Sequence, residues 1–194
     1  MLAGLYGRNP FTITTPKSRD HTEIMLNEFG CNITLESESI NVIPTKLTSP
    51  KTIDIPGDIS SAAFFIVGSI ISKDSQMKIE NVGLNPLRTG FIDILKMMGA
   101  SIEISNLKTV NGEVVGNIDV ESSSLEGIAI PKELIASSID ELPLIILAAS
   151  QADGKTSLRN AEELRFKESD RILSMVKMMK RFNISIDEFN DGMD

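Results

Sequence analysis

Residues 162–171 read Glu-Glu-Leu-Arg-Phe-Lys-Glu-Ser-Asp-Arg, and only Leu164 and Phe166 among them are apolar. The apolar positions of the next eight residues fall at helical spacing, so 166–170 form the turn before a helix or its first turn. Ser169 or Asp170 suits the N-cap. Lys167 and Arg171 stand four apart and share a helix face, with Glu168 between them. A helix start offers free N–H groups and the positive end of the helix dipole. Two cations added to that start can hold a phosphate or carboxylate, with an acid–base group against it. Alone, the run reads more readily as a solvated first turn.

Other stretches offer chemistry of the same kind. Asp140 opens an apolar helix after Ala-Ser-Ser-Ile; it reads as an N-cap, which still leaves a carboxylate at the end of a buried helix. Gly57 and Asp58, before Ile-Ser-Ser, could form a backbone anion nest, but no basic residue adjoins them in sequence and a helix cap is the simpler reading. Lys17-Ser18-Arg19-Asp20-His21 precedes an amphipathic helix. Ser18 and Arg19 could face a phosphate there, or Ser18 or Asp20 could cap the helix. His21 reads as a surface residue, and Arg88 and Thr89 as a structural helix start. Cys31 has no neighbouring cation and reads as inert. Met175, Met178 and Met179 read as core packing.

Composition narrows the class. Nineteen Lys and Arg against 27 Asp and Glu give a net charge of −8, which argues against a nucleic-acid role. One cysteine and one histidine leave no set for a His/Cys zinc site. The lone cysteine fits a reducing compartment, and the N-terminus lacks a basic region and cleavage pattern, so a cytoplasmic location is expected. The longest apolar run, residues 62–71, suits a buried helix and is too short to span a membrane.

The elements that would position these residues repeat along the chain. Residues 25–35, 95–104 and 178–187 each read as the end of an amphipathic helix, a stop, then a strand. Gly30, Gly99 and Asn183 occupy the left-handed stop position. Upstream lie two small-residue apolar helices, one after Asp58 and one after Asp140, the latter with Pro143 in its first turn. Short strands over 76–82 and 156–159 follow them. Further strands are expected at 40–43 and 116–120. Only the tail of such a helix precedes the first unit, and the third stops before its last strand. The pattern therefore predicts a piece of a longer protein, cut at both ends. Pro50 and Pro56 in a polar setting mark a boundary.

Four motifs in order and spacing carry a resemblance that covers nearly the whole chain. They are Pro-Gly-Asp-Ile-Ser-Ser-Ala-Ala-Phe-Phe at 56–65, Asn-Pro-Leu-Arg-Thr-Gly at 85–90, Ile-Asp-Glu-Leu-Pro at 139–143, and the 162–171 run. Together they resemble the 5-enolpyruvylshikimate-3-phosphate synthase family, and Lys-Ser-Arg-Asp-His-Thr-Glu at 17–23 is similar to its segment. The resemblance implies an α/β (α+β) fold of repeated βαβαββ units, the inside-out α/β barrel of the enolpyruvyl transferases. Residues 1–51 would be the last unit of the N-terminal domain, 52–56 a hinge, and 57–194 two units of the C-terminal domain. It implies transfer of the enolpyruvyl group of phosphoenolpyruvate to the 5-hydroxyl of shikimate 3-phosphate with release of phosphate. Neither a metal nor an organic cofactor is implied, nor a nucleic-acid or membrane partner, and the full-length protein would be a monomer.

By the same resemblance Asp140 would accept the 5-hydroxyl proton and Glu168 would serve proton transfer at the methylene carbon. Lys167 would contact shikimate 3-phosphate and Arg171 would clamp phosphoenolpyruvate, with Ser18 or Arg19 on the shikimate phosphate. Several family motifs would lie outside these residues: upstream Lys-Ser…Arg, Gly-Asn-Ala-Gly-Thr and Ser-Ala-Gln segments, and a downstream His-Arg segment and lysine. The chain alone is therefore expected to fold at least partly and not to catalyse. The alternatives are a UDP-sugar enolpyruvyl transferase, which the Phe-Lys-Glu-Ser-Asp-Arg run disfavours, and a non-catalytic module on the same scaffold.

Overall fold

A computed structural model of the chain describes residues 1–15, 18–36 and 39–194. Three successive units build it. The first holds a 3-10 turn (Leu2–Tyr6), β1 (Phe11–Thr14), α1 (His21–Glu28), β2 (Asn32–Leu35) and β3 (Ser39–Ile43). The second holds α2 (Ile59–Ile71), β4 (Gln76–Gly83), α3 (Gly90–Met97), β5 (Ser101–Val110) and β6 (Glu113–Glu121). The third holds α4 (Ile135–Ser138), α5 (Leu142–Ala149), a 3-10 turn (Glu162–Phe166), α6 (Arg171–Arg181), β7 (Glu188–Phe189) and β8 (Gly192–Met193).

The first two sheets share one topology, β1-β3-β2 and β4-β6-β5. In each, the last strand of the unit lies in the middle, antiparallel to both neighbours. Parallel bridges from Gly57 to Val82 and from Ala129 to Ser157 place an extended segment before the first helix of the second and third units. The helix stops are as the sequence suggests: Gly30, Gly99 and Asn183 have φ of 79°, 98° and 57°. There the chain must turn left-handed, which glycine does without strain and asparagine tolerates.

Two buried apolar clusters form. Leu26, Cys31, Ile40 and Val42 close one within the first unit. The other runs from Ile59 to Met193 and takes in α2, α3, α5 and α6 with the faces of β4 to β6. α2 and α5 are apolar almost all round and lie against each other, as buried helices do. α6 is amphipathic, burying Ile172, Met175, Val176 and Met179. The β5–β6 hairpin turns at Asn111 and Gly112, with φ of 49° and 77°, a left-handed pair suited to tight hairpins.

Three local expectations change. Residues 156–159 form isolated bridges at Ser157 and Leu158 rather than a strand. After Asn183 the strand is reduced to Glu188–Phe189, because only Met193 and its neighbours lie beside it. Asp140 does not cap a helix: α4 precedes it, Glu141 is the N-cap residue of α5, and that cap makes no side-chain bond. Asp140 is followed three residues later by Pro143, which has no N–H to give a capping carboxylate.

Candidate functional site

The loop before α6 is fixed first. Asp170 is the N-cap and accepts from Leu173 N at 2.9 Å. That bond lowers its pKa, joined against burial by the Arg165 guanidinium. Arg165 donates to Asp170 at 2.7 Å, Glu188 at 3.1 Å and two carbonyls of residues 189 and 190. The loop is therefore tied to its own helix and to β7, and Arg171 leaves the first helical turn from a held backbone.

Arg171 meets two carboxylates. Its Nη2 donates to Glu168 Oε2 at 2.8 Å and its Nη1 lies 3.5 Å from Asp140 Oδ1. Arg19, from the first unit, donates to the other oxygen of Asp140. A row of alternating charge, Arg19–Asp140–Arg171–Glu168, thus joins the segment before α1 to the starts of α5 and α6. The Arg171 bond holds the Glu168 carboxyl below the usual carboxylate range. Lys167 is not in this row; it pairs with Glu163 at 2.5 Å. Ser18 is exposed beside Arg19. Lys17 lies outside the described residues.

The segment before α1 makes three consecutive crossings. Arg19 reaches Asp140, Asp20 accepts from Asn85 Nδ2 at 2.6 Å, and His21 Nδ1 pairs with Glu113. Asp20 occupies the N-cap of α1 without a capping bond, its carboxylate being spent on Asn85 instead. His21 is half-buried and not the surface residue its sequence suggested. A cavity of about 310 Å³ lies behind this segment, bounded among others by His21, Met25, Ile55, Asp58, Asn85 and Arg88. None of Asp140, Lys167, Glu168 and Arg171 lines it.

A second network was not visible in sequence. Ser60 donates to Glu141, and Arg88 Nη2 donates to Ser60 Oγ at 2.6 Å. Arg88 also lies 3.4 Å from Asp58, which caps α2 by accepting from Ser61 N at 2.9 Å. The Asp58 cap expected from sequence is therefore present, and a cation does adjoin it, delivered from 30 residues away. Glu141 is 3% exposed. Burial pushes its carboxyl above the usual range, against the Ser60 hydroxyl and the Arg88 charge. The paired serines at 60 and 61 were the one sequence signal available. Among the described residues no group of three His, Cys, Asp or Glu side chains could hold a metal ion, and no helix is long and apolar enough to cross a membrane.

Solved structures share this arrangement of units. EPSP synthase from Acinetobacter baumannii matches with a TM-score of 0.93 and 42% identity, over 99% of this chain and 44% of that one. The enolpyruvyl transferase NikO from Streptomyces tendae, 15% identical, matches over 81% of this chain and 37% of that one with a TM-score of 0.62, a likeness of fold. The fold is that of the enolpyruvyl transferases, truncated. The model of the family described as EPSP synthase (3-phosphoshikimate 1-carboxyvinyltransferase) matches residues 1–194, and the chain belongs to that family. A 3-phosphoshikimate 1-carboxyvinyltransferase of Petrotoga mobilis is 47% identical over all of this chain and 45% of its own length. One of Caldicellulosiruptor saccharolyticus is 50% identical over 92% of this chain and 42% of its own length. The chain thus spans under half the length of these relatives.

Proposed function

We propose that these residues supply part of a site that transfers the enolpyruvyl group of phosphoenolpyruvate to the 5-hydroxyl of shikimate 3-phosphate, releasing phosphate. The observation that carries this reading is the charge row Arg19–Asp140–Arg171–Glu168, set within a chain of this family. Asp140 accepts the hydroxyl proton as the C–O bond forms and Glu168 delivers a proton to the methylene carbon; the adduct then gives a proton of the new methyl group back to Glu168 as its C–O bond to phosphate breaks, restoring the double bond and releasing phosphate. Arg171 clamps phosphoenolpyruvate; Lys167 and Arg19, with Ser18 beside it, hold the shikimate phosphate.

The ion pairs suggest how binding readies the acid. A substrate anion competes with Glu168 for the Arg171 guanidinium. Losing that partner removes what holds the Glu168 carboxyl low, so its pKa rises and it can take up the proton it must deliver. Lys167 has likewise to leave Glu163. Held together, two anions and an acid–base pair gain most of their rate from positioning.

Residues 1–51 act as the end of one domain and 57–194 as part of a second, with 52–56 as the hinge; the two separate apolar clusters support this division. The two domains of the longer, monomeric cytoplasmic enzyme then bring Arg19 and Asp140 together from opposite sides. The matched family, not a UDP-sugar transferase, favours the shikimate substrate.

The test is a phosphate-release assay. Residues 1–194 are exchanged for the matching part of the Petrotoga mobilis relative. That chimera should turn over both substrates, and Asp140→Asn in it should cut turnover about 100-fold or more while binding persists. The 194-residue chain alone should release no phosphate. Undiminished turnover in the Asp140→Asn chimera would overturn the assignment of the base, and an inactive chimera that folds would overturn the substrate reading.

A further inference from the structure

Two of the four motifs, 56–65 and 85–90, carry no residue of the charge row, yet both reach the corner from which Asp140 leaves. α4 ends at Ser138 and α5 begins at Leu142. The residues between them turn tightly and stay right-handed. Ile139 has φ −54° and ψ −35°, and Glu141 has φ −97° and ψ −7°. The Glu141 N–H donates to the Ser138 carbonyl at 2.8 Å. Near-helical backbone sets successive side chains about 100° apart, so fixing one side chain of the corner fixes the direction of the next. Asp140 faces Arg19 and Arg171, while Glu141 turns inward and is 3% exposed.

The inward side chain ends a directed chain of hydrogen bonds. Arg88 Nη2 donates to Ser60 Oγ at 2.6 Å, and the Ser60 hydroxyl donates to Glu141 Oε1. A hydroxyl has one proton to give, and here it goes to an acceptor at position 141. Arg88 is steadied by Asp58 at 3.4 Å. Close to Arg88 in sequence, Gly90 opens α3 so near to α4 that a methyl group there would lie 2.7 Å from Ser138 Oγ. The other end of the same segment holds a partner of Asp140. Leu87 N donates to Asn85 Oδ1 at 2.9 Å, and the Asn85 amide group donates in turn to Asp20, the neighbour of Arg19. Burying an acid costs more than burying an apolar side chain of similar size. An apolar residue at 141 would fill the space equally well; what the acid adds is one bonded direction.

We infer that Glu141 is a positioning residue for Asp140: bonded through Ser60 to Arg88, it fixes the corner so that the neighbouring carboxylate faces Arg19 and Arg171. The inference rests on the reading of Asp140 as the base of the proposed transfer. A base displaced by about 1 Å loses up to about 100-fold in rate, while the cations that hold the substrate anions stay in place. Glu141 therefore acts on kcat and leaves KM alone.

The test uses the chimera with the Petrotoga mobilis relative. Glu141→Met keeps the length and bulk of the side chain without a strong acceptor, and an apolar group in place of a buried acid leaves the fold intact. It should lower kcat about tenfold or more, with KM for both substrates within about threefold of the parent. Glu141→Gln, whose amide oxygen still accepts from Ser60, should keep kcat within about threefold. In the Asp140→Asn background, Glu141→Met should lower turnover by less than about twofold more, because it acts only through Asp140. A crystal structure of the Glu141→Met chimera should place the Asp140 carboxylate about 1 Å or more from its position in the parent, with Arg171 still on Glu168. An unmoved Asp140 overturns the inference. So does an undiminished kcat in Glu141→Met, an equal loss in Glu141→Gln, or a loss repeated in full in the Asp140→Asn background. Should Asp140→Asn itself keep full turnover, the assignment of the base falls, and the position of Asp140 in the crystal structure alone decides whether Glu141 positions it.

Discussion

Asp58 and Asp140 hold the same place in two successive units, each just ahead of a small-residue apolar helix. One caps its helix and the other does not. Three residues after Asp58 stands Ser61, whose N–H and hydroxyl both bond to the carboxylate at 2.9 Å. Burial acts upward on the Asp58 pKa, but the Ser61 bonds and the Arg88 charge bring it below the usual range. Three residues after Asp140 stands Pro143, which has no N–H. The backbone near Asp140 thus offers its carboxylate no capping donor, and it turns to the guanidiniums of Arg19 and Arg171. A proline at the start of a helix does more than fit there: it withholds the local partner that would otherwise absorb a nearby acid.

The contrast breaks most visibly through the partner of Asp140. In the chimera with the Petrotoga mobilis relative, Arg171→Ala should raise KM for phosphoenolpyruvate about tenfold or more if Arg171 has the clamping role proposed for it. Arg88→Ala, which removes the cation beside Asp58, should leave that KM near its starting value. Equal KM effects in steady-state kinetics would dissolve the distinction between the two acids.

Next in size is the cap. Asp58→Ala should cost about 1 kcal/mol, or about 2–4 °C in Tm, while Asp140→Ala costs less. Differential scanning calorimetry of the two variants reads this directly. Pro143→Ala sharpens the comparison from the other side. It restores an N–H three residues after Asp140, so the carboxylate should swing to cap α5 and turnover of the chimera should fall, with stability changing by less than about 1 kcal/mol. Unchanged turnover with an unchanged Asp140–Arg171 contact would show that proline does not decide the outcome.

The smallest effect is the pH dependence at Glu141. The folded chain holds this proton to higher pH than the unfolded chain does. Its contribution to stability is whole below the ordinary value of 4.5 and is lost as pH rises through the raised folded value. Urea midpoints measured upward from pH about 4 should therefore fall more steeply in the parent than in Glu141→Gln. Parallel slopes would remove Glu141 as the source.

The repeat was legible in sequence because helix stops are local. Gly30, Gly99 and Asn183 declare themselves by residue type and by the apolar period before them. The caps at Asp58 and Asp170 were legible for the same reason. The wrong reading of Asp140 came from treating residue type as sufficient, when the donor three residues on decides whether a cap forms. Glu141, Ser60 and Arg88 could not be assembled from sequence, since Ser60 and Glu141 are 81 residues apart and meet only once α2 lies on α5. The strand readings at 156–159 and 184–187 were sound in pattern but met no full-length neighbour, and a strand exists only in company.

The β5–β6 hairpin has strands of ten and nine residues, against four and five in β2 and β3. The extra length carries its tip out of its own sheet. Asn111 Oδ1 accepts from Asp54 N at 3.0 Å on the connector, and Glu113 meets His21 at the start of α1. Gly112 comes so close to α1 that a methyl group there would lie 2.8 Å from Ile24. The tip is thus a brace between the first unit and the second. Any shift of α1 relative to the second unit has to unfasten the tip or drag it along. In the second case the ladder resists the shift like a leaf spring, whose root is the buried row of Ile118 and Val120.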